Sequence, residues 1–369
     1  MRNTTRRVAL AALATVSAGV MLAGCAAAPE EDTDAAATTD FLPCMVSDSG
    51  GFDDKSFNQL GFEGLQAGAE ALGSEYTEVE SASDADYAPN IDGLVAQDCN
   101  LIVTVGFALS AATIEAATAN PDVNFSIIDD AADADFDGAA DADNIKPILF
   151  DTSQAAFLAG YASASFSKTG IVGTYGGMNF PTVSVFMDGF AQGVEHHNTE
   201  KGTQVQVLGW DREAQDGTFI GEFSPGAKSL AAANNLIDQG ADVIFPVGGP
   251  IYQSAGEAIN DAMAADPSKS LSLIGADADL FVTDPSFSDI YFTSVLKGID
   301  VATTDVVESA GNDEFDAEPY LGTLENDGVG IAPFHDFEGE VADTLQSELD
   351  AITASIIDGS ITVESYLAG

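Results

Sequence analysis

DSGGFDDKSFNQLGFEGL, residues 48–65, follows a short apolar run, FLPCMV (41–46), and leads into apolar positions at helical spacing. Gly50 and Gly51 permit a tight turn, and Ser56 stands where a helix over 58–72 would take its N-cap. With 42–47 as a strand, Asp48 lies just past its carboxyl end. Phe57 and Asn58 then sit at the helix start. An aromatic face beside an amide and a carboxylate suits a flat, hydrogen-bonding ring: stacking gives affinity, and Asp48 and Asn58 read the ring edge. The same residues also suit a hydrophobic staple with Asp and Asn as turn formers. Taken alone, the stretch leaves both readings open.

Outward from it, strand-like and helix-like runs alternate. Strands are expected at 76–80, 101–105, 123–128 and 146–150, with helices near 88–97 and 110–119. After a seam near 151–153 and a helix at 154–167, the rhythm restarts with strands at 170–175, 204–208, 243–246 and 272–274. Helices of 10–15 residues between apolar strands argue for parallel βαβ units covered on both faces. The later pieces, a strand at 289–296, a helix at 299–310, strand pieces in 320–331 and a helix at 339–357, recross between the halves. The expected division is 41–150 plus about 276–312 in one lobe, and 151–275 plus about 313–369 in the other. Ligands of open α/β sheets sit at the strands' carboxyl ends. Two such sheets facing each other make a hinged, venus-flytrap cleft.

The first 24 residues stand apart from the fold. Arg2, Arg6 and Arg7 precede an apolar run over 8–22, too short for the roughly 20 residues of a membrane span and typical of a secretory signal. LAGC (22–25) resembles a bacterial lipobox, which makes Cys25 the lipidated N-terminus and 25–40 a disordered tether. The chain has 11 Lys+Arg against 60 Asp+Glu, a net charge of −49. Loss of the leader removes three arginines and no acids. That balance excludes nucleic acid, whose phosphates need a basic surface, and disfavours anionic ligands. With Cys25 lipidated, Cys44 and Cys99 remain as a pair in an oxidising compartment, where a bridge is permitted.

The weaker patterns carry little. DADFDG (133–138) matches the start of a calcium loop, but position 12 is Asn144 rather than glutamate, so it reads as acidic surface and no metal is expected. His196 and His197 are adjacent and His335 is remote, which makes no metal site or triad. No cofactor motif is present.

The opening stretch resembles the signature of the basic membrane protein family, the purine nucleoside receptor A-like substrate-binding proteins of ABC transporters. NFSIID (124–129), GGMNFPTV (176–183), FMDGF (186–190), GEFSPGAK (221–228), VGG (247–249), GAD (275–277) and TSVLK (293–297) match further motifs in the family's order. The likeness covers roughly 42–300. It implies an α/β, two-domain, periplasmic binding protein-like fold (type I, venus-flytrap), with a parallel sheet flanked by helices in each domain. It implies no enzyme. It implies a monomeric, lipid-anchored protein on the extracytoplasmic face of the bacterial cell membrane that captures nucleosides, purines favoured, for ABC permease subunits. Phe57 and Phe223 would sandwich the base, Asp48 and Asn58 would bond its edge, and Asp277 and Lys297 would hold ribose hydroxyls with Asp129 and Gly249. Lys55 and Lys228 would pair with local acids. Pro225-Gly226 stands where the family more often has Asp-Pro, which leaves the set of the Phe223 loop open. Two alternatives stay in view: a sugar or autoinducer-like ligand, and a nucleoside hydrolase built on clustered aspartates.

Overall fold

A computed structural model describes residues 40–367. The expected signal (1–24), the lipidation of Cys25 and nearly all of the tether lie outside them. Among the described residues no helix is long and apolar enough to cross a membrane.

The first half folds as β1 (Pro43–Val46), α1 (Phe57–Leu72), β2 (Thr77–Val79), α2 (Tyr87–Val95), β3 (Leu101–Val105), α3 (Ser110–Ala119), β4 (Asn124–Ile128) and β5 (Ile145–Phe150). After α4 (Thr152–Phe166) come β6 (Ile171–Gly176), α5 (Pro181–Lys201) and β7 (Gln206–Leu208). A small hairpin, β8 (Trp210–Asp211) with β9 (Asp216–Gly217), precedes α6 (Ala227–Asp238), β10 (Val243–Val247), α7 (Tyr252–Ala265), β11 (Ser272–Asp277) and α8 (Leu280–Thr283). The tail is β12 (Tyr291–Lys297), α9 (Ile299–Gly311), β13 (Tyr320–Gly322), β14 (Val329–Ile331) and α10 (Leu345–Ile357).

Two six-stranded sheets result, ordered β13-β5-β4-β3-β1-β2 and β14-β12-β11-β10-β6-β7. All pairings within them are parallel except β12 with β14. β1, β3, β10 and β11 are buried along their whole length, as strands covered by helices on both faces must be. The two orders superimpose strand for strand: β1 corresponds to β6, β3 to β10, β4 to β11 and β5 to β12. This internal repeat governs the site.

The tail divides differently from the expected boundaries. β11 and β12 both lie in the second sheet, whereas the sequence division assigns 276–297 to the first lobe. α9 packs along α1 in the first lobe, β13 joins the first sheet, and β14 joins the second. Short apolar segments carry no local mark of the sheet edge they will join, so the sequence could not assign them. The chain thus crosses between lobes three times: at 150–152, at 297–299 and at 322–329. Main-chain bonds lace the crossings together, Asp151 N–H to Gly322 C=O at 2.8 Å and Gly298 N–H to Gly328 C=O at 2.9 Å.

Glycine sets the closest helix approach. A Cβ on Gly193 of α5 would lie 1.9 Å from the Phe157 carbonyl of α4, and one on Gly160 would lie 2.0 Å from that of Phe190. Only glycine lets the two helices touch backbone to backbone. In the first lobe, Cys44 of β1 and Cys99, two residues before β3, are joined by a disulfide with Cα atoms 6.0 Å apart. Both are buried.

Candidate ligand-binding cleft

The carboxyl ends of both sheets face a cleft of about 360 Å³. Asp48, Phe57, Asn58, Asp129, Phe223, Gly249, Asp277 and Lys297, the eight residues selected from sequence, all line it. The topology explains the convergence: Asp48 follows β1, Asp129 follows β4, Asp277 ends β11 and Lys297 ends β12.

The 48–56 loop is held by Asp54. Its carboxylate accepts main-chain N–H bonds from Ser56 (3.0 Å), Asn58 (2.9 Å) and Gln59 (3.1 Å). It therefore caps α1 in the role expected of Ser56, whose own hydroxyl finds no partner among the described residues. Lys55 adopts a left-handed φ of 64°, which folds the chain so that Asp54 reaches back over the helix start. Asn58 is also bound inward. Its Nδ2 donates to Asp48 Oδ1 (2.8 Å) and Asp54 Oδ2 (3.1 Å), and its Oδ1 accepts the Asp48 N–H (3.2 Å). An amide has two donor hydrogens, and both are committed. Asn58 thus positions Asp48, and its Oδ1, which accepts one bond here, keeps a second lone pair.

The aromatic walls rest on glycines at equivalent places in the two lobes. Gly106 follows β3 and Gly248 follows β10, at φ 106° and 133°. A Cβ on Gly106 would lie 3.4 Å from both the Phe57 ring and Asp48 Oδ2. One on Gly248 would lie 2.7 Å from the Phe223 ring, and one on Gly177 2.3 Å from it. The Cδ1–Cε1 side of the Phe223 ring therefore packs against both glycines. Three further phenylalanines line the cleft, Phe107, Phe180 and Phe186. Phe107 of the first lobe meets Phe180 of the second at 5.0 Å between ring centres, and Phe180 meets Phe223 at 5.9 Å. Sequence reasoning missed these three. The repeat of Val105-Gly106-Phe107 in Val247-Gly248-Gly249 was the available signal for Phe107.

At the back, Lys297 joins the lobes. Its Nζ lies 2.5 Å from Asp129 Oδ2 and 3.3 Å from Asp277 Oδ1. The Phe186 ring centre is 4.7 Å away and that of Phe57 5.3 Å. Lys297, Asp129 and Asp277 are each about 5% exposed or less. Asp129 and Asp277 occupy corresponding positions in the repeat and share a left-handed backbone, φ 60° and 68°, a conformation aspartate tolerates better than most residues. Asp277 Oδ1 makes no aligned hydrogen bond among the described residues; the ion pair is close but off-axis.

Burial raises the carboxyls of Asp129 and Asp277, and Lys297 pulls them back down. Burial works to lower Lys297, but the two aspartates outweigh it and hold the ammonium above its ordinary value. Asp48 is pushed up to about 6, chiefly by burial, with Gly50 and Asn58 opposing and Asp54 and Asp277 adding repulsion. With Asp84 and Glu222 also in the lining, a single ammonium faces six acidic side chains. Such a cleft receives a neutral, ring-bearing polar ligand far better than an anion. Lys55 pairs with Asp53 outside the cleft, and Lys228, which is not in the lining, pairs with Glu222 at its edge at 3.3 Å. The carboxylates of Asp133, Asp135 and Asp141 gather on an exposed loop.

Two repeated α/β lobes, three crossings and a cleft lined from both sides define a periplasmic binding protein-like fold of type I. The chain belongs to the Bmp family, the ABC transporter substrate-binding proteins described as PnrA-like, whose profile matches residues 41–365. It is thus a substrate-binding protein rather than an enzyme, and permease subunits are the partners of that class. It is 28% identical to a CD4+ T-cell-stimulating antigen of Listeria innocua, over 97% of this chain and 98% of that one. It is also 28% identical to the ABC transporter nucleoside-binding protein BmpA of Lactococcus lactis subsp. cremoris, over 98% and 99%. A solved ABC transporter solute-binding protein from Aeropyrum pernix shares the fold, with a TM-score of 0.76 at 22% identity over 87% and 92% of the two chains.

Proposed function

We propose that this protein captures nucleosides, purines favoured, outside the cell and presents them to an ABC importer, anchored to the membrane through lipid on Cys25. The observation that carries the reading is the pair of phenylalanines, Phe57 and Phe223, entering from opposite lobes, each backed by a glycine at the equivalent place. Two aromatic faces with an acceptor at their edge suit a base. Behind them, Asp129, Asp277 and Lys297 suit a vicinal diol. A carboxylate takes two hydroxyl donors, and the ammonium offsets repulsion as water leaves. Asp277 Oδ1, ion-paired but without an aligned hydrogen bond among the described residues, gains one when a hydroxyl arrives. The Lactococcus relative, named for nucleoside binding, supports the same reading.

Calorimetric titration of the purified, ligand-free chain with adenosine, guanosine, inosine, uridine and cytidine tests it. One-to-one binding, tighter for the purines, is the expected result. Absence of heat with all five, in folded protein, would overturn the ligand class and turn the search to sugars and other polyols.

A further inference from the structure

Within the repeat, α1 follows β1 as α5 follows β6, but the two helices begin differently. Asp54 takes the N–H groups of Asn58 and Gln59 at the start of α1. α5, 21 residues long, has no side-chain cap and no acid in its first turn. Pro181 at its first position has no N–H to offer, and those of Val183 and Ser184 turn back to the Phe180 carbonyl at 3.0 and 2.9 Å. The Thr182 N–H is left over, with no hydrogen bond among the described residues. The Thr182 hydroxyl makes none there either, although the residue is only 9% exposed and lines the cleft. Two donors thus stand together on the second-lobe wall, and a buried donor is costly until an acceptor reaches it.

Their place fixes the acceptor. Thr182 and Phe186, four residues apart, share one face of α5, and both line the cleft. The Phe186 ring centre lies 4.7 Å from Lys297 Nζ, at the end where the diol sits in the nucleoside reading. On the other side of Thr182, Phe180 meets Phe223, the ring assigned to the base, at 5.9 Å. Thr182 therefore stands between the sugar end and the base end of the cleft. In a nucleoside, the polar group between those ends is the 5′-hydroxyl, carried on the same face of the ribose as the base.

We propose that Thr182, through its hydroxyl and its main-chain N–H, binds the 5′-hydroxyl oxygen and makes this cleft discriminate against nucleosides that lack it. The inference rests on the nucleoside reading above and deepens it with a specificity residue from the second lobe. A hydroxyl oxygen has two lone pairs and accepts both donors. The positive end of the α5 dipole favours an oxygen there over a methyl group. The donors are absent from the first lobe because Asp54 has consumed their equivalents at the start of α1.

The test is calorimetric titration of the full chain with adenosine and 5′-deoxyadenosine, which share base and vicinal diol, so their affinity ratio isolates the 5′-oxygen. In the unmutated chain 5′-deoxyadenosine should bind about three- to tenfold more weakly. Thr182→Val, isosteric but without the hydroxyl, should weaken adenosine and leave 5′-deoxyadenosine nearly unchanged, so the ratio shrinks. Thr182→Ser should restore it. A merely structural Thr182 would move both ligands together and keep the ratio. Equal affinities in the unmutated chain, or the same ratio in Thr182→Val, would overturn this inference and leave the nucleoside reading standing. No binding of either ligand to the unmutated chain would overturn both.

Discussion

Replacing Lys297 with methionine keeps the length and apolar stem of the side chain and removes the charge that holds Asp129 and Asp277 together. In the native cleft the ammonium lies 2.5 Å from one carboxylate and 3.3 Å from the other, with all three groups nearly sealed from water. Breaking a buried pair by deleting one partner costs about 3–5 kcal/mol, because the orphaned charge remains buried. Here two carboxylates are orphaned, and they can escape by taking up protons. Burial already raises both; without Lys297 nothing pulls them back. A carboxyl raised in the folded state above its unfolded value contributes stability that is complete below the unfolded value and lost as pH rises through the folded one. Lys297→Met should therefore cost the full amount at pH 8 and much less at pH 5. The assay is urea unfolding followed by far-ultraviolet circular dichroism at both pH values, variant beside wild type. A deficit of the same size at pH 5 and pH 8 would refute the charge argument and leave only lost packing.

Phe57→Ala should weaken nucleoside binding by about 1–3 kcal/mol, the range for base–aromatic stacking; unchanged calorimetric affinity would return Phe57 to a purely structural role. Asp54→Ala removes the acceptor that caps α1 and should lower stability by about 1–2 kcal/mol, read as a shift in the urea midpoint, whereas Ser56→Ala should shift it little. The Cys44–Cys99 bridge spans 55 residues, and the chain-entropy relation gives about 4 kcal/mol for a loop of that size. Cys44→Ser/Cys99→Ser should lose stability of that order. Because both sulfurs are buried, dithiothreitol should free two thiols in urea-unfolded protein well before it does so in native protein.

The alternating apolar runs gave away the α/β class because strands covered on both faces need continuous hydrophobicity, as PCMV and VIFPV show. Part of the cleft was legible for a related reason: Asp48, Asp129, Asp277 and Lys297 occupy strand ends or the one or two positions after them, which is where such sheets place ligands. What escaped depended on three-dimensional bookkeeping. Ser56 and Asp54 are both competent caps two residues apart, and only the left-handed Lys55 decides between them. That both Asn58 hydrogens go to Asp48 and Asp54 is set by where the 48–56 loop folds back, which spacing does not show. Sheet membership of β12 and β13 is a non-local choice made between two nearly identical edges. Phe107 and Phe180 matter because they meet each other across the lobes, and no spacing along the chain encodes that meeting.

Lys297 is the last residue of β12, and the next peptide begins a crossing whose N–H is tied to another crossing at Gly328. The contact that draws carboxylates of both lobes to one ammonium and a crossing that joins the lobes are thus neighbours on one strand, so any turn of one lobe against the other must load the Lys297 contact.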